Sequence, residues 1–233
     1  RLQYIYSRRL SLGKIRREEN ILWSFAPHDI SVILSLVGEE PIYVDSIGSN
    51  FLHARIADVT MTNLKFPSGV GSHIFVSWLN PYKEQKLVIV GDKGMLVFDD
   101  TAPLAAKLVH YPHVIKWENN MPVPEKADSI PIDLSDIWDE PLKLECRAFL
   151  ESMETGKEPI TSGAEGLRVL KILELSQKSI EQKENNIIAF DASALTAKAS
   201  CDRREYFLHE TSIVDDKCQI GKGTKIWHFS HVL

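Results

Sequence analysis

Between residues 42 and 98 the apolar side chains recur at every second position in short runs, and on both sides of that stretch they recur at helical spacing. Period two sustained over several runs requires a sheet, because successive strand side chains point to opposite faces. Residues 42–46, 57–66, 73–79 and 87–90 read as strands, and Asp92-Lys93-Gly94 is the tight turn into another at 95–98. Val59 and Met61 alternate with Asp58, Thr60 and Thr62, while Leu64 and Phe66 continue on the other parity, which predicts a bulge or twist near Asn63. Ile74, Val76 and Trp78 share one face and Phe75 takes the other. One face of the sheet is therefore core, and the second is only partly polar. Residues 107–111 and 129–132 are further strand candidates.

Helical patterns bracket the sheet. A tyrosine-rich strand at 3–9 leads through a polar stretch to Pro27, which suits the first position of a helix, with Asp29 in its first turn and Gly38 as its stop. Ile30, Ile33, Leu34 and Val37 form the buried stripe of that helix. Leu142, Cys146, Phe149, Leu150 and Met153 keep helical spacing up to Gly156, and Ser162-Gly163-Ala164-Glu165 is a capping box for a helix reaching about residue 183. Strand, helix, many strands and two helices predict an α+β domain over residues 1–183, an open, mostly antiparallel sheet with its helices on one side. Residues 184–205 read as a linker, polar and alanine-rich.

Beyond the linker the period changes to six: Leu208, Val214, Ile220, Ile226 and Val232 recur in phase, with Ser212, Cys218, Thr224 and Ser230 at a fixed offset. This is the pattern of a hexapeptide parallel β-helix over residues 206–233, though strand–turn–strand alternation also accommodates it. Little more than one coil is present, too little to bury a solenoid core alone.

The bulk composition narrows the function classes. Of 233 residues, Lys+Arg 27 against Asp+Glu 32 gives −5, with no basic run longer than a pair, so nucleic acid has no electrostatic footprint here. The apolar stretch near residues 30–37 is far too short to span a bilayer. Cys146, Cys201 and Cys218 are scattered without CxxC spacing, which points to a reducing, cytoplasmic setting and away from a metal site. The sequence opens on strand-like residues without an initiator Met or a signal peptide, and reads as a piece of a longer product.

Gly69-Val70-Gly71 and Gly221-Lys222-Gly223 lack the third glycine and the strand–helix context of a dinucleotide turn. Among the titratable residues His28 stands out. In the first turn of a helix the dipole disfavours imidazolium, leaving a neutral ring able to take a proton. A histidine that merely packs or caps fits the same place. His228 and His231 could suit a metal pair, but no third ligand accompanies them, and corner histidines of a β-helix are commonly structural.

The run Arg8-Arg9-Leu10-Ser11-Leu12-Gly13-Lys14-Ile15-Arg16, followed by Asn20-Ile21-Leu22-Trp23-Ser24-Phe25-Ala26-Pro27-His28-Asp29-Ile30, resembles the strand–loop–helix segment of the glucose–fructose oxidoreductase/inositol dehydrogenase (Gfo/Idh/MocA) family. Pro159 to Leu167 resembles that family's opening of its last long helix. The resemblance covers residues 1–183 and is closest to the subgroup acting on UDP-N-acetylaminosugar uronates. It implies the C-terminal half of a Rossmann-type dehydrogenase, with NAD or NADP held mainly by another half, and a homo-oligomer formed through the open sheet face. It also implies that His28 is the active-site histidine, beside a lysine from a Glu-Lys-Pro motif elsewhere, and that Arg16 and Asn20 contact the UDP-sugar substrate. Ser24 stands where many members carry an aspartate, and a hydroxyl orients an imidazole without stabilising its charge.

Residues 220–232 resemble the start of left-handed β-helix N-acetyltransferases, which implies acetyl-CoA as a second cofactor and a place in surface-polysaccharide precursor synthesis. Two other readings stand beside this one. The sheet domain could be a non-catalytic assembly module, or the acyltransferase could be the defining activity beside a degenerate dehydrogenase domain.

Overall fold

A computed structural model describes residues 1–159, 161–184, 207–209, 213–214, 218, 220–227 and 231–232. Contacts divide the chain into residues 1–187 and residues 188–233.

In chain order the first unit comprises β1 (Leu2–Leu10), α1 (Ile21–Val37), β2 (Tyr43–Ser49), β3 (Val59–Lys65), β4 (Gly71–Ser77), β5 (Glu84–Gly91), β6 (Gly94–Asp99), β7 (Leu108–Glu118), β8 (Met121–Lys126), β9 (Ile130–Pro131), α2 (Pro141–Thr155) and α3 (Gly163–Glu184). The strands join in the order β2-β3-β4-β1-β5-β6-β7-β8, with β9 also against β7. Only β1 with β4 is parallel; the other pairings of this sheet are antiparallel. β1 is thus central, paired with β4 on one side and β5 on the other.

α1 packs on β1, β3 and β4, and α3 packs on β2 and α1. The core lies between these helices and the inner face of the sheet, where Ile5, Leu64, Ile74, Val76 and Trp78 meet Leu22, Ile30, Ile33, Leu34, Ile172 and Leu173. At about 25 cal/mol per Å² of apolar surface, burial of these side chains is the main driving force. α2 buries none of its residues.

Three features depart from the sequence expectation. α1 begins two turns earlier than Pro27: Asn20 caps it, its side chain accepting from the N–H groups of Leu22 and Trp23 at 3.1 and 3.5 Å. Pro27 lies inside the helix, where it withholds the N–H that would reach the Trp23 carbonyl. A cap from Asn20 and a buried stripe that already includes Ile21 and Leu22 outweigh that loss. The register of β3 runs without a shift through Asn63 on both sides, so there is no bulge there. Instead Thr60, Thr62, Leu64 and Phe66 share the buried parity, and the Thr62 hydroxyl is satisfied by Ser46 Oγ at 2.8 Å. The third departure is β8, where two prolines disguise a strand at the edge of the sheet.

The opposite face of the sheet carries no helix. Tyr6 stacks on His73 with ring centroids 5.1 Å apart and planes 2° from parallel, and the Arg8 guanidinium lies 5.9 Å from the Tyr6 ring. Burial, and next the Arg8 charge, hold the His73 imidazole below its ordinary pKa. Tyr4, Ile47, Met61 and Tyr111 are exposed on this face.

In the second unit β10 (Phe207–Leu208) pairs in parallel with β12 (Lys225–Ile226), and β11 (Ile213–Val214) with β13 (His231–Val232). Each partner lies eighteen residues further along the chain. Ile226 is buried, and Phe207 packs on Trp227 with ring centroids 5.5 Å apart. Apart from Glu184, the expected linker lies outside the described residues, as does His228.

Candidate functional site

The end of β1 and the middle of α1 are tied by a bidentate ion pair. Arg9 Nε and Nη2 lie 2.8 and 3.4 Å from the two carboxylate oxygens of Asp29, which is almost fully buried. A buried carboxylate needs such a partner. With Asp29 turned inward, the preceding residue on the helix, His28, faces solvent.

His28 sits two turns into α1, not in its first turn as the sequence suggested, because the helix starts at Ile21. One turn back on the same face, Ser24 Oγ donates to Glu19 Oε1 at 2.8 Å. The same oxygen lies 3.0 Å from Arg16 Nη1. Glu19 thus gathers Arg16 and Ser24 on the side of the helix that carries His28, and supplies a carboxylate one hydrogen bond away from position 24. Nothing in the sequence pattern singled out Glu19; the link is made by the loop folding back on the helix.

Asn20 points elsewhere. Besides capping α1, its amide donates to Gln177 Oε1 of α3 at 2.8 Å, and the Trp23 indole donates to the same oxygen at 3.3 Å. Glu18, Glu19, Asn20, Trp23, Arg55, Ile56 and Gln177 line a cavity of about 350 Å³ at this end of the helix. Arg55 occupies the left-handed region at φ 70°, which is strained for a side-chain-bearing residue. Hydrogen bonds from its own backbone N–H and that of Arg17 pull the Glu18 carboxyl below its ordinary pKa. The cavity offers carboxylates, an amide and a guanidinium, a set suited to a ligand rich in hydroxyl groups.

Behind the site stands Asp58, fully buried, which sequence reasoning also missed. Its carboxylate accepts from the N–H groups of Phe51 and Leu52 at 2.6 and 2.8 Å and from Trp78 Nε1 at 2.6 Å. Burial pushes its pKa up, but these three donors outweigh burial and leave the carboxyl below its ordinary value. The neighbouring Ala57 carbonyl accepts from Ile21 N–H at 3.0 Å, so the loop that Asp58 fixes also holds the first turn of α1.

Residues 9–97 match the GFO/IDH/MocA C-terminal domain. That stretch runs from the end of β1 through β6 and contains Arg16, Glu19, Asn20, Ser24, His28 and Asp58. Structures that share the fold include UDP-N-acetylglucosamine 3-dehydrogenase from Acidithiobacillus ferrooxidans, with TM-score 0.62 at 18% identity, covering 78% of this chain and 55% of that one. The aldose–aldose oxidoreductase of Caulobacter crescentus, in complex with glycerol, gives 0.58 at 17%, covering 78% and 54%. Levoglucosan dehydrogenase in complex with NADH gives 0.59 at 16%, covering 78% and 57%. At these identities the likeness is one of fold, and the chain spans about half the length of each structure. No curated protein matches the sequence.

Proposed function

We propose that residues 1–183 form the substrate-binding and assembly half of an NAD(P)-dependent oxidoreductase that acts at C3 of a UDP-N-acetylaminosugar uronate. The observation that carries this reading is the Arg16–Glu19–Ser24 cluster beside an exposed His28, inside the segment that matches the GFO/IDH/MocA domain. His28 removes the proton of the reacting hydroxyl, Arg16 meets the anionic part of the substrate, and Asn20 contributes from the wall of the adjoining cavity. The three likenesses above include an aminosugar dehydrogenase, which supports the substrate class. The exposed aromatic and aliphatic residues of the helix-free sheet face support its role as the contact between two copies.

The described residues do not form a dinucleotide cradle. Gly69, at φ 87°, serves the turn between β3 and β4, and Gly71 begins β4; neither opens a helix. The dinucleotide is therefore assigned to other parts of the protein, and this chain supplies the proton acceptor and substrate contacts. Residues 206–233 are proposed as the opening coil of an acetyl-CoA-dependent sugar N-acetyltransferase. The eighteen-residue parallel register supports it, since three hexapeptides make one turn of a three-sided β-helix. Both activities would serve surface-polysaccharide precursor synthesis. Among the described residues no helix is long and apolar enough to cross a membrane.

His28→Asn in the full-length enzyme should lower kcat by about 10²–10⁴-fold with little change in KM, as loss of a general base does. Steady-state kinetics at saturating dinucleotide measure this. A variant with near-wild-type kcat assigns proton removal to another group and leaves His28 a structural residue.

A further inference from the structure

The loop between β2 and β3 is pinned at several points. Asp58 N–H donates to the Ser49 carbonyl at 2.8 Å, the Asp58 carboxylate holds the N–H groups of Phe51 and Leu52, and Ile56 N–H reaches the His53 carbonyl at 3.3 Å. Within that frame Arg55 takes φ 70°. The other described non-glycine residues at positive φ are Asn119 and Asn120, a residue type that tolerates the left-handed region. Glycine would relieve position 55 of its strain, so a long side chain kept there points to a use for that side chain.

Around the cavity that Arg55 lines, the other polar side chains are already engaged. Asn20 and Trp23 both donate to Gln177, whose amide in turn donates to Glu181 at 2.9 Å. Glu19 holds Arg16 and Ser24, so the Arg16 charge arrives with a carboxylate attached. Glu18 Oε2 accepts from Arg17 N–H at 3.2 Å. Among the described residues Arg55 has no hydrogen-bond, ion-pair or ring partner, and it is exposed. A guanidinium left unpaired beside a cavity is a positive charge available to a ligand. Ile56 and the Trp23 ring give the same wall an apolar part, the mixture by which pockets hold and orient small molecules.

We infer that Arg55 is a specificity-determining residue: its guanidinium receives the carboxylate of the substrate's uronate ring and so selects the acidic sugar over its neutral counterpart. The inference rests on the reading of this site as the place of a UDP-N-acetylaminosugar uronate, and adds to it the residue that tells the uronate apart. The cavity, about 350 Å³, lies near the lower bound of about 300 Å³ for ligand pockets, room for a ring and not for a whole sugar nucleotide. The ring that carries the carboxylate is also the one whose C3 hydroxyl must reach His28. Glu19 belongs both to the cavity wall and to the cluster beside that histidine, so one ring can meet both. A planar guanidinium matches a carboxylate in two parallel hydrogen bonds, and a pinned loop presents it with little further ordering cost. Glu18, on the same wall, accepts from ring hydroxyls and repels the acidic end of the ring toward Arg55.

The test compares two substrates on the full-length enzyme at saturating dinucleotide, the UDP-N-acetylaminosugar with a C6 carboxylate and the one with a C6 hydroxyl. Wild type should prefer the first. Arg55→Gly suits the backbone at this position and should melt no lower than wild type. It should lower kcat/KM for the uronate about 10–100-fold, chiefly through KM, and lower the preference over the neutral sugar with it. Arg55→Lys should recover part of that loss, because an ammonium keeps the charge without the fork. Should the glycine variant melt early, Arg55→Asn, which also tolerates the left-handed region, takes its place. An unchanged preference overturns the inference and leaves the reading of the site standing. An equal loss for both substrates does the same, since it puts Arg55 on a part that the two share. A wild type that prefers the neutral sugar overturns both the inference and the uronate as substrate, and one that oxidises neither overturns the functional reading itself.

Discussion

Asp58 shows how one residue behind a site can matter as much as those within it. Its carboxylate ends on three donors, and no neutral replacement satisfies all three, because an amide must turn its NH₂ toward either the Phe51 and Leu52 N–H groups or the Trp78 indole. Asp58→Asn should therefore lower stability by about 2–3 kcal/mol, read as a shift in the denaturant midpoint. The pH dependence has a definite sign. The folded carboxyl has a pKa below its unfolded value, so its contribution is fully present above about pH 4 and fades as pH falls through the folded value. Wild type should lose stability over that acid range, and Asp58→Asn should lose less of it. A variant that matches wild type in midpoint and in acid slope would show that the three hydrogen bonds contribute nothing net.

At the scale of the element, the edge strand β2 is guarded by a single hydroxyl. Ser179 Oγ of α3 accepts from Ser46 N–H at 2.9 Å and lies 3.1 Å from the Ser46 carbonyl oxygen, so it takes the place that a neighbouring strand would fill. Ser179→Ala should cost about 1–2 kcal/mol by leaving a half-buried N–H unpaired, visible as a lower thermal midpoint; an unchanged melt would mean that water replaces the hydroxyl without loss. Elements announced by apolar period were legible in the sequence: Ile74, Val76 and Trp78 do share the buried face, and Gly156 does end α2 in the left-handed conformation. What misled was local chemistry overruled from a distance. Pro27 looks like a helix start, yet Asn20 and the Ala57 carbonyl secure an earlier one. Thr60 and Thr62 look like the wet side of a strand, yet they face the core, where Ser46 receives one of them. Of the candidate site, His28, Arg16 and Asn20 could be named in advance. Glu19 could not, because its partners Arg16 and Ser24 meet only once the loop has closed on α1.

For the whole molecule, the absence of a Gly-x-Gly-x-x-Gly turn opening any described helix leads to a binding prediction. Residues 1–233 by themselves should show no saturable heat when titrated with NAD or NADP, and tight binding would overturn the division of labour proposed for the two halves. The position of β1 has a further consequence, for the order of events during synthesis. The strand that ends up in the middle leaves the ribosome before the other strands of its sheet, and its neighbours β4 and β5 follow about 70 to 90 residues later. At about 5–20 residues per second, that is a wait of roughly 3 to 20 seconds. Throughout it Leu2 to Leu10, with its tyrosines and Ile5, has neither of its sheet partners, and the sheet cannot grow outward from its centre. It must instead be completed by insertion, with the hairpin of β3 and β4 arriving on one flank and β5 on the other. A segment left open for that interval to chaperones, or to pairing with a neighbouring nascent chain, is thus one that ends with a strand on each flank.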